Sequence, residues 1–229
     1  MRFTVLFFFS IFLSYKGFSQ SNPLGVFNQY IAEYWSGEYQ RIGQYRVKGT
    51  PYLFGESFEG KLIFEGGNVT LRDKVLYNLY TQIAGPDIKG EILETTRQLD
   101  EFTMTLPEKF GGETLLFKHS RLFKEADMKV YFNVIAEGSK TTFLKIYRIR
   151  LTADPSNMYD KENKVFEQYF DYYLYTPGSP GTLTKIKLRK KDFSKALSNI
   201  PGAKDRIEDS RIDFSSEKEV AILIADINQ

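Results

Sequence analysis

Few residues in this chain have the type and spacing to do chemistry. His119 is the only histidine among 229 residues, so a histidine-rich metal site is excluded. As a general base it needs a nucleophile and an orienting carboxylate that local sequence does not place beside it. It follows Leu115 and Phe117 on one face of an alternating run, which is the setting of a structural or surface histidine. Ser215-x-x-Lys218 has the spacing of the serine–lysine pair of penicillin-binding enzymes, but the companion K-T-G and S-x-N elements are missing and the segment reads as a helix start. Glu91 and Glu94 fall on opposite faces of a strand, and Asp100 and Glu101 are adjacent, so neither pair points by local geometry into the one cleft a glycosidase needs. No D-x-D-x-D-G calcium loop and no G-x-x-x-x-G-K phosphate loop occurs. Cysteine is absent, which removes thiol nucleophiles, thiolate metal sites, disulfides and a lipid-attachment cysteine. These residues predict no catalytic centre, no metal and no cofactor.

Two stretches are better suited to interaction. Lys185–Lys191 (KIKLRKK) sets Ile186 and Leu188 on one side and Lys185, Lys187 and Arg189 on the other; a second basic group is Lys145, Arg148 and Arg150. Such faces are either solvated or dock on an acidic protein surface. In Gly49–Ser57 (GTPYLFGES), Tyr52, Leu53 and Phe54 are held between Thr50-Pro51 and Gly55. Pro51 blocks regular pairing and the glycines suit a tight loop. The apolar side chains then either fold back as a plug for the open end of a sheet or protrude as anchors for a partner.

The elements that must position these residues are mostly strands. Alternation is visible in Gln44–Val47, Lys61–Glu65, Val69–Tyr80, Gly90–Arg97, Glu101–Leu106, Glu113–His119, Met128–Ala136, Thr141–Leu151, Phe170–Thr176 and Thr182–Leu188. Short turns rich in Gly and Pro between many of them predict hairpins and antiparallel pairing. Asn22–Trp35 reads as a helix with Asn22 as cap and Pro23 in its first position. Near the C-terminus Phe193, Ala196, Leu197 and Ile200 form one apolar stripe. After a polar connector over Ala203–Asp213, Ser216 and Glu219 make a capping box for a last helix bearing Val220, Leu223, Ile224 and Ile227. The expected fold is mainly β (α+β): a curved antiparallel sheet or partly closed barrel of about ten strands, with an N-terminal helix and two C-terminal helices.

Residues 1–19 have the layout of a secretory signal peptide: a basic start, the apolar run Val5–Leu13, and small residues Gly17 and Ser19 before Gln20. Residues 20–229 then form one strand-rich exported domain. Arg2 and Lys16 leave with the leader, so 31 basic residues become 29, matching the 29 acidic ones. That balance, with export, argues against nucleic acid as partner. No second apolar run is long enough for a membrane-spanning helix, so direct membrane insertion is not expected.

G-x-P-Y-L at Gly49–Leu53, V-x-Y-N-L-Y at Val75–Tyr80, L-D-x-F at Leu99–Phe102 and D-Y-Y-L-Y…K-I-K-L-R-K-K-D-F at Asp171–Phe193 together resemble a family of exported proteins from Bacteroidetes-type Gram-negative bacteria. The likeness spans nearly the whole mature chain, departs from the family pattern at Gly85–Gly90 (GPDIKG), and brings no catalytic assignment. Among proteins of this look is the periplasmic plug subunit of the type IX secretion translocon. The resemblance therefore implies a non-enzymatic periplasmic protein, bound to an outer-membrane barrel of a secretion complex and through it to the outer membrane. Two other readings carry their own expectations. A carrier of a small apolar ligand needs an aromatic-lined cavity, and a hydrolase needs His119 or a carboxylate pair converging in a cleft.

Overall fold

The computed structural model describes residues 39–67, 70–93, 98–123, 128–156, 161–178 and 181–229. The predicted leader, the Asn22–Trp35 helix and Glu94 lie outside them. Among the described residues twelve strands and three α-helices follow in the order β1 (Tyr39–Ile42), β2 (Tyr45–Lys48), β3 (Phe58–Phe64), β4 (Thr70–Asn78), β5 (Ile83–Ile88), β6 (Glu91–Ile92), β7 (Leu99–Thr105), β8 (Thr114–His119), β9 (Tyr131–Ala136), β10 (Thr142–Ala153), β11 (Asn163–Thr176), β12 (Thr182–Ile186), α1 (Lys190–Ala196), α2 (Ala203–Asp209) and α3 (Glu217–Asn228). Among the described residues, no helix is long and apolar enough to cross a membrane.

The chain is mainly β. Its strands lie side by side as β1-β2-β11-β10-β9-β8-β7-β3-β4-β5-β6, with β12 on β11 outside that path, and the sheet does not close. Two features differ from the expectation of ten antiparallel strands. First, β2 runs parallel to β11 at Arg46–Lys48, which a hairpin could not do but a pair joined through most of the chain can. Second, β5 carries Gly85 and Pro86 within a strand. Pro86 stands opposite Val75 of β4, and its carbonyl accepts the Leu93 N–H at 2.9 Å on the other side. Its missing N–H therefore faces away from β4, where no ladder bond is lost. A Cβ on Gly85 would meet Ile92 and the Leu93 carbonyl at 2.8 and 3.0 Å.

The spine of the sheet is the β10–β11 hairpin, paired without a break from Thr142↔Tyr175 to Ala153↔Lys164. Strict alternation sends its side chains to two faces. Phe143 and Leu174 join Ile186 beneath the three helices, against Phe193, Leu197, Ile207, Val220 and Ile224. Leu144, Ile146 and Tyr175 go to the opposite face with Phe123 and Phe132. A separate core lies over β3, β4, β7 and β8, where Tyr77, Phe102, Phe117 and Tyr131 are buried together and the Phe102 and Phe117 rings stack at 4.6 Å.

The predicted connector 203–213 contains α2. Ala203 and Ile207, one helical turn apart, are its buried residues, and Gly202 takes the left-handed conformation (φ +73°) that starts it. At α3 the Ser216 hydroxyl accepts the Glu219 N–H at 3.3 Å. Glu219 accepts the Asp213 N–H at 2.7 Å in place of the Ser216 N–H, which donates to the Asp213 carbonyl, so half of the predicted box forms and Glu219 pins the preceding turn instead.

Candidate protein-binding surfaces

Tyr52, Leu53 and Phe54 fold inward. The Pro51 carbonyl accepts the Leu79 N–H at 2.9 Å, and Tyr52 bridges to Asn78 at the end of β4. Leu53–Gly55 then form a short turn, interrupted at Phe54, over the core of β3, β4, β7 and β8. Leu53 is fully buried and Tyr52 nearly so. Phe54 adopts φ +54°, unusual for a bulky residue. That swings its ring onto Phe110, stacked at 5.3 Å, with edge contacts to Phe58 and Tyr147. Burial, and after it the Glu91 and Asp87 charges, push the Tyr52 hydroxyl up to about 12. As candidates for partner contact, Tyr52 and Leu53 are corrected to core and Phe54 to a half-buried ring of the aromatic cluster. The apolar area gained by folding back is available without a partner.

Lys185, Lys187 and Arg189 are exposed, while Ile186 is buried and Leu188 partly so, as alternation requires. Lys185 Nζ lies 2.8 Å from Asp171 Oδ1. The Lys187 backbone N–H donates to Asp192 Oδ2 at 3.1 Å. Arg189 is extended (φ −148°, ψ 134°) and caps α1, its carbonyl accepting the Asp192 N–H at 2.9 Å. This brings α1 alongside β12. Between them runs an open groove of about 730 Å³, with Thr184, Lys185 and Lys187 on the strand side and Arg189, Lys195 and Asn199 on the helix side. Among the described residues, Lys187, Arg189 and Lys195 form no ion pair.

The second basic group divides. Arg150 pairs with Glu167 at 2.9 Å on one face, and Arg148 approaches Asp171 at 3.7 Å on the same face. Lys145 points to the other face. There Glu217 Oε2, from the first turn of α3, lies 2.8 Å from its ammonium and also accepts the Tyr172 hydroxyl at 2.7 Å. The rings of Phe170, Tyr147 and Tyr172 surround the ammonium, at 4.5, 5.0 and 5.7 Å. Burial works against the charged lysine, but Tyr147 and Glu217 outweigh it and the Lys145 pKa is raised. Burial first, and then the bond to Glu217, raise that of Tyr172. This cluster ties a helix to the sheet and leaves the ammonium fully used. No local pattern announces it, since its members come from β10, β11 and α3.

His119 is buried, with Nδ1 accepting a hydrogen bond. Arg121 N–H donates to Nδ1 at 3.2 Å, and Nε2 lies 3.1 Å from the Gln98 side-chain nitrogen. Tyr131 packs edge-on at 5.1 Å. Burial and then the Arg121 charge lower its pKa, against a smaller pull from Asp100. Asp100 spends its carboxylate on Arg121 Nε at 2.7 Å, and Glu101 faces Lys118 at 3.7 Å. Asp100 thus serves an arginine, and the Asp100–Glu101 pair is divided between two cations. Ser215 Oγ donates to the Asp213 carboxylate at 2.7 Å in the turn before α3. Among the described residues, no three His, Cys, Asp or Glu gather in a way that could hold a metal ion. Comparison with protein-family models, curated proteins and solved structures returns no match.

Proposed function

We propose that this chain is a non-enzymatic periplasmic protein that binds other proteins, as an accessory or gating (plug) subunit of an outer-membrane protein secretion complex. The observation that carries the reading is the open basic groove between β12 and α1, where Lys187, Arg189 and Lys195 stand without ion pairs among the described residues. Cations gathered on a concave surface and left uncompensated suit docking on an acidic partner. The family resemblance of the sequence supports the more specific form, a plug for the periplasmic mouth of a type IX secretion barrel. An interface of standard size takes about 800 Å² from each partner. The carrier reading is less well supported. The aromatic interior over β3, β4, β7 and β8 is occupied by the protein's own rings, with Tyr77 5.3 and 5.4 Å from Phe102 and Phe117.

The test is affinity recovery of the tagged mature chain from gently solubilised envelopes of its own organism. A large outer-membrane barrel recovered in stoichiometric amount is the expected result. Recovery of the chain alone, after cross-linking as well, overturns the proposal.

A further inference from the structure

We infer that the outer edge of β12 accepts an extended, acid-rich segment of a partner protein as an added strand, with α1 forming the far wall of the groove. This rests on reading the chain as a protein-binding subunit and names the chemistry of its partner.

Three observations carry it. First, β12 is an edge: it pairs with β11 from Tyr172↔Ile186 to Thr176↔Thr182, and among the described residues it has no second neighbour. The direction of its backbone groups follows from alternation. The Glu162 carbonyl accepts the Arg46 N–H on the side of β11 away from β10. The β10–β11 register is unbroken, so Tyr172, Leu174 and Thr176 direct their backbone groups to that same side, toward β12. Ile186, Thr184 and Thr182 face them. The N–H and C=O of Leu183 and Lys185 consequently lie on the outer edge, the arrangement a strand-adding peptide requires.

Second, the edge is not flat surface but one wall of a groove. Arg189 turns the chain directly from β12 into α1, so Lys195, Ala196 and Asn199 oppose Thr184 and Ile186 across a space of about 730 Å³. That lies within the range of ligand-binding clefts, and a strand edge beside a helix gives a peptide both hydrogen bonds and side-chain contact.

Third, the groove selects charge. Lys187, Arg189 and Lys195 line it beside Lys185, which Asp171 already holds, and the one acid of the lining, Asp192, accepts the Lys187 N–H. Lysines on an edge strand oppose pairing with a second copy of the same edge. The same charges attract a strand bearing Asp or Glu, so exclusion of self and selection of an acidic partner have one origin here.

The probes are three capped, fluorescent nine-residue peptides: alternating Glu and Val, alternating Lys and Val, and the Glu–Val peptide with a central Pro. Binding to the full mature chain is followed by anisotropy, and amide exchange at Leu183 and Lys185 by NMR. The expected result is salt-sensitive binding of the Glu–Val peptide alone, slowed exchange at those two amides, and at least ten-fold weaker binding to the Lys187→Glu/Lys195→Glu variant. Both substituted residues are exposed and lie outside the strand ladder, and circular dichroism checks that the variant is folded. No binding, equal binding of the Lys–Val or Pro peptide, or binding without slowed exchange at Leu183 and Lys185 overturns the inference. Envelope recovery separates it from the broader reading. A variant that has lost the peptide but still recovers the barrel overturns the groove's role and leaves the function standing. Slowed exchange on peptide binding, with no barrel recovered by the unaltered chain, upholds the groove and removes the secretion-complex assignment.

Discussion

Asn228 and Thr141 exchange two hydrogen bonds. The Thr141 N–H donates to Asn228 Oδ1 at 3.0 Å, and Asn228 Nδ2 donates to the Thr141 carbonyl at 2.9 Å. The same side chain accepts the Lys140 N–H at 2.8 Å and donates to the Ile224 carbonyl at 2.8 Å. One amide thereby locks the end of α3 onto the start of β10. Asn228→Ala leaves the polar groups of buried Thr141 unpaired and is expected to cost about 1–3 kcal/mol, read as a lowered midpoint in urea unfolding at unchanged slope. An unchanged midpoint would show that water replaces the amide.

Lys145 and Glu217 predict an asymmetric pair of variants. Glu217→Ala strips a half-enclosed ammonium of its anion and should cost about 3 kcal/mol, the low end for breaking a buried pair. Lys145→Met keeps a flexible apolar stem among the three rings and should cost less. The double variant should be less destabilised than the sum of the two, with a coupling of roughly 0.5–3 kcal/mol by double-mutant cycle. Strict additivity would mean that the two side chains do not act on each other.

His119 predicts a pH dependence with a definite sign. Its folded pKa lies below the usual 6.5, so between the two values the unfolded chain binds more protons than the native one. The associated stability is present above pH 6.5 and is lost as pH falls through the folded pKa. Because the chain has one histidine, untagged protein gives a single imidazole titration by NMR, with its midpoint expected below 6.5. Over the same range His119→Gln should flatten the fall in melting temperature. A midpoint at or above 6.5 would contradict the buried, arginine-flanked setting.

Gly60 and Gly43 separate close approach from backbone conformation. A Cβ on Gly60 would stand 2.0 Å from the Thr103 carbonyl oxygen across β3 and β7, whereas Gly43 has φ +57° with nothing within 4 Å. Gly43→Ala should cost about 1–2 kcal/mol through its left-handed backbone alone. Gly60→Ala must push β3 and β7 away from each other and should leave little folded protein at 37 °C, measured by circular dichroism and protease resistance. Equal tolerance of the two substitutions would show that these strands can separate.

The strands that sequence reveals are those with one wet face. Leu115 and Phe117 alternate with half-exposed partners in β8, and the predicted run Glu113–His119 differs from it by one residue. β1 and β5 escape notice for opposite reasons. In YQRI the two apolar residues, Tyr39 and Ile42, are three apart, a spacing that strand alternation does not give, and Gly85-Pro86 reads as a turn until the direction of its missing N–H is known. α2 has two apolar positions to show, too few for a helical period. For Tyr52–Phe54 the residues leave both outcomes open, and the decision lies in the positive φ of Phe54, which no residue type announces. The exposure of Lys185, Lys187 and Arg189 is legible in alternation. The wall opposite them is not, because Lys195 and Asn199 reach the groove through the turn at Arg189.

Arg46 meets Asn163 across 117 positions of chain, the difference of their numbers, while β10 and β11 are neighbours joined by one loop. Closing a long loop costs more entropy than closing a short one, and contacts between distant segments slow folding. The β10–β11 hairpin can thus assemble early and serve as the template on which other strands add. The seam between β2 and β11 must wait for nearly everything between them. It is also short, three paired positions, so little is regained until that register is found. Refolding from denaturant should therefore protect the Arg46 amide, which donates to the Glu162 carbonyl, later than the amides between β10 and β11, an order that pulse-labelled hydrogen exchange would read.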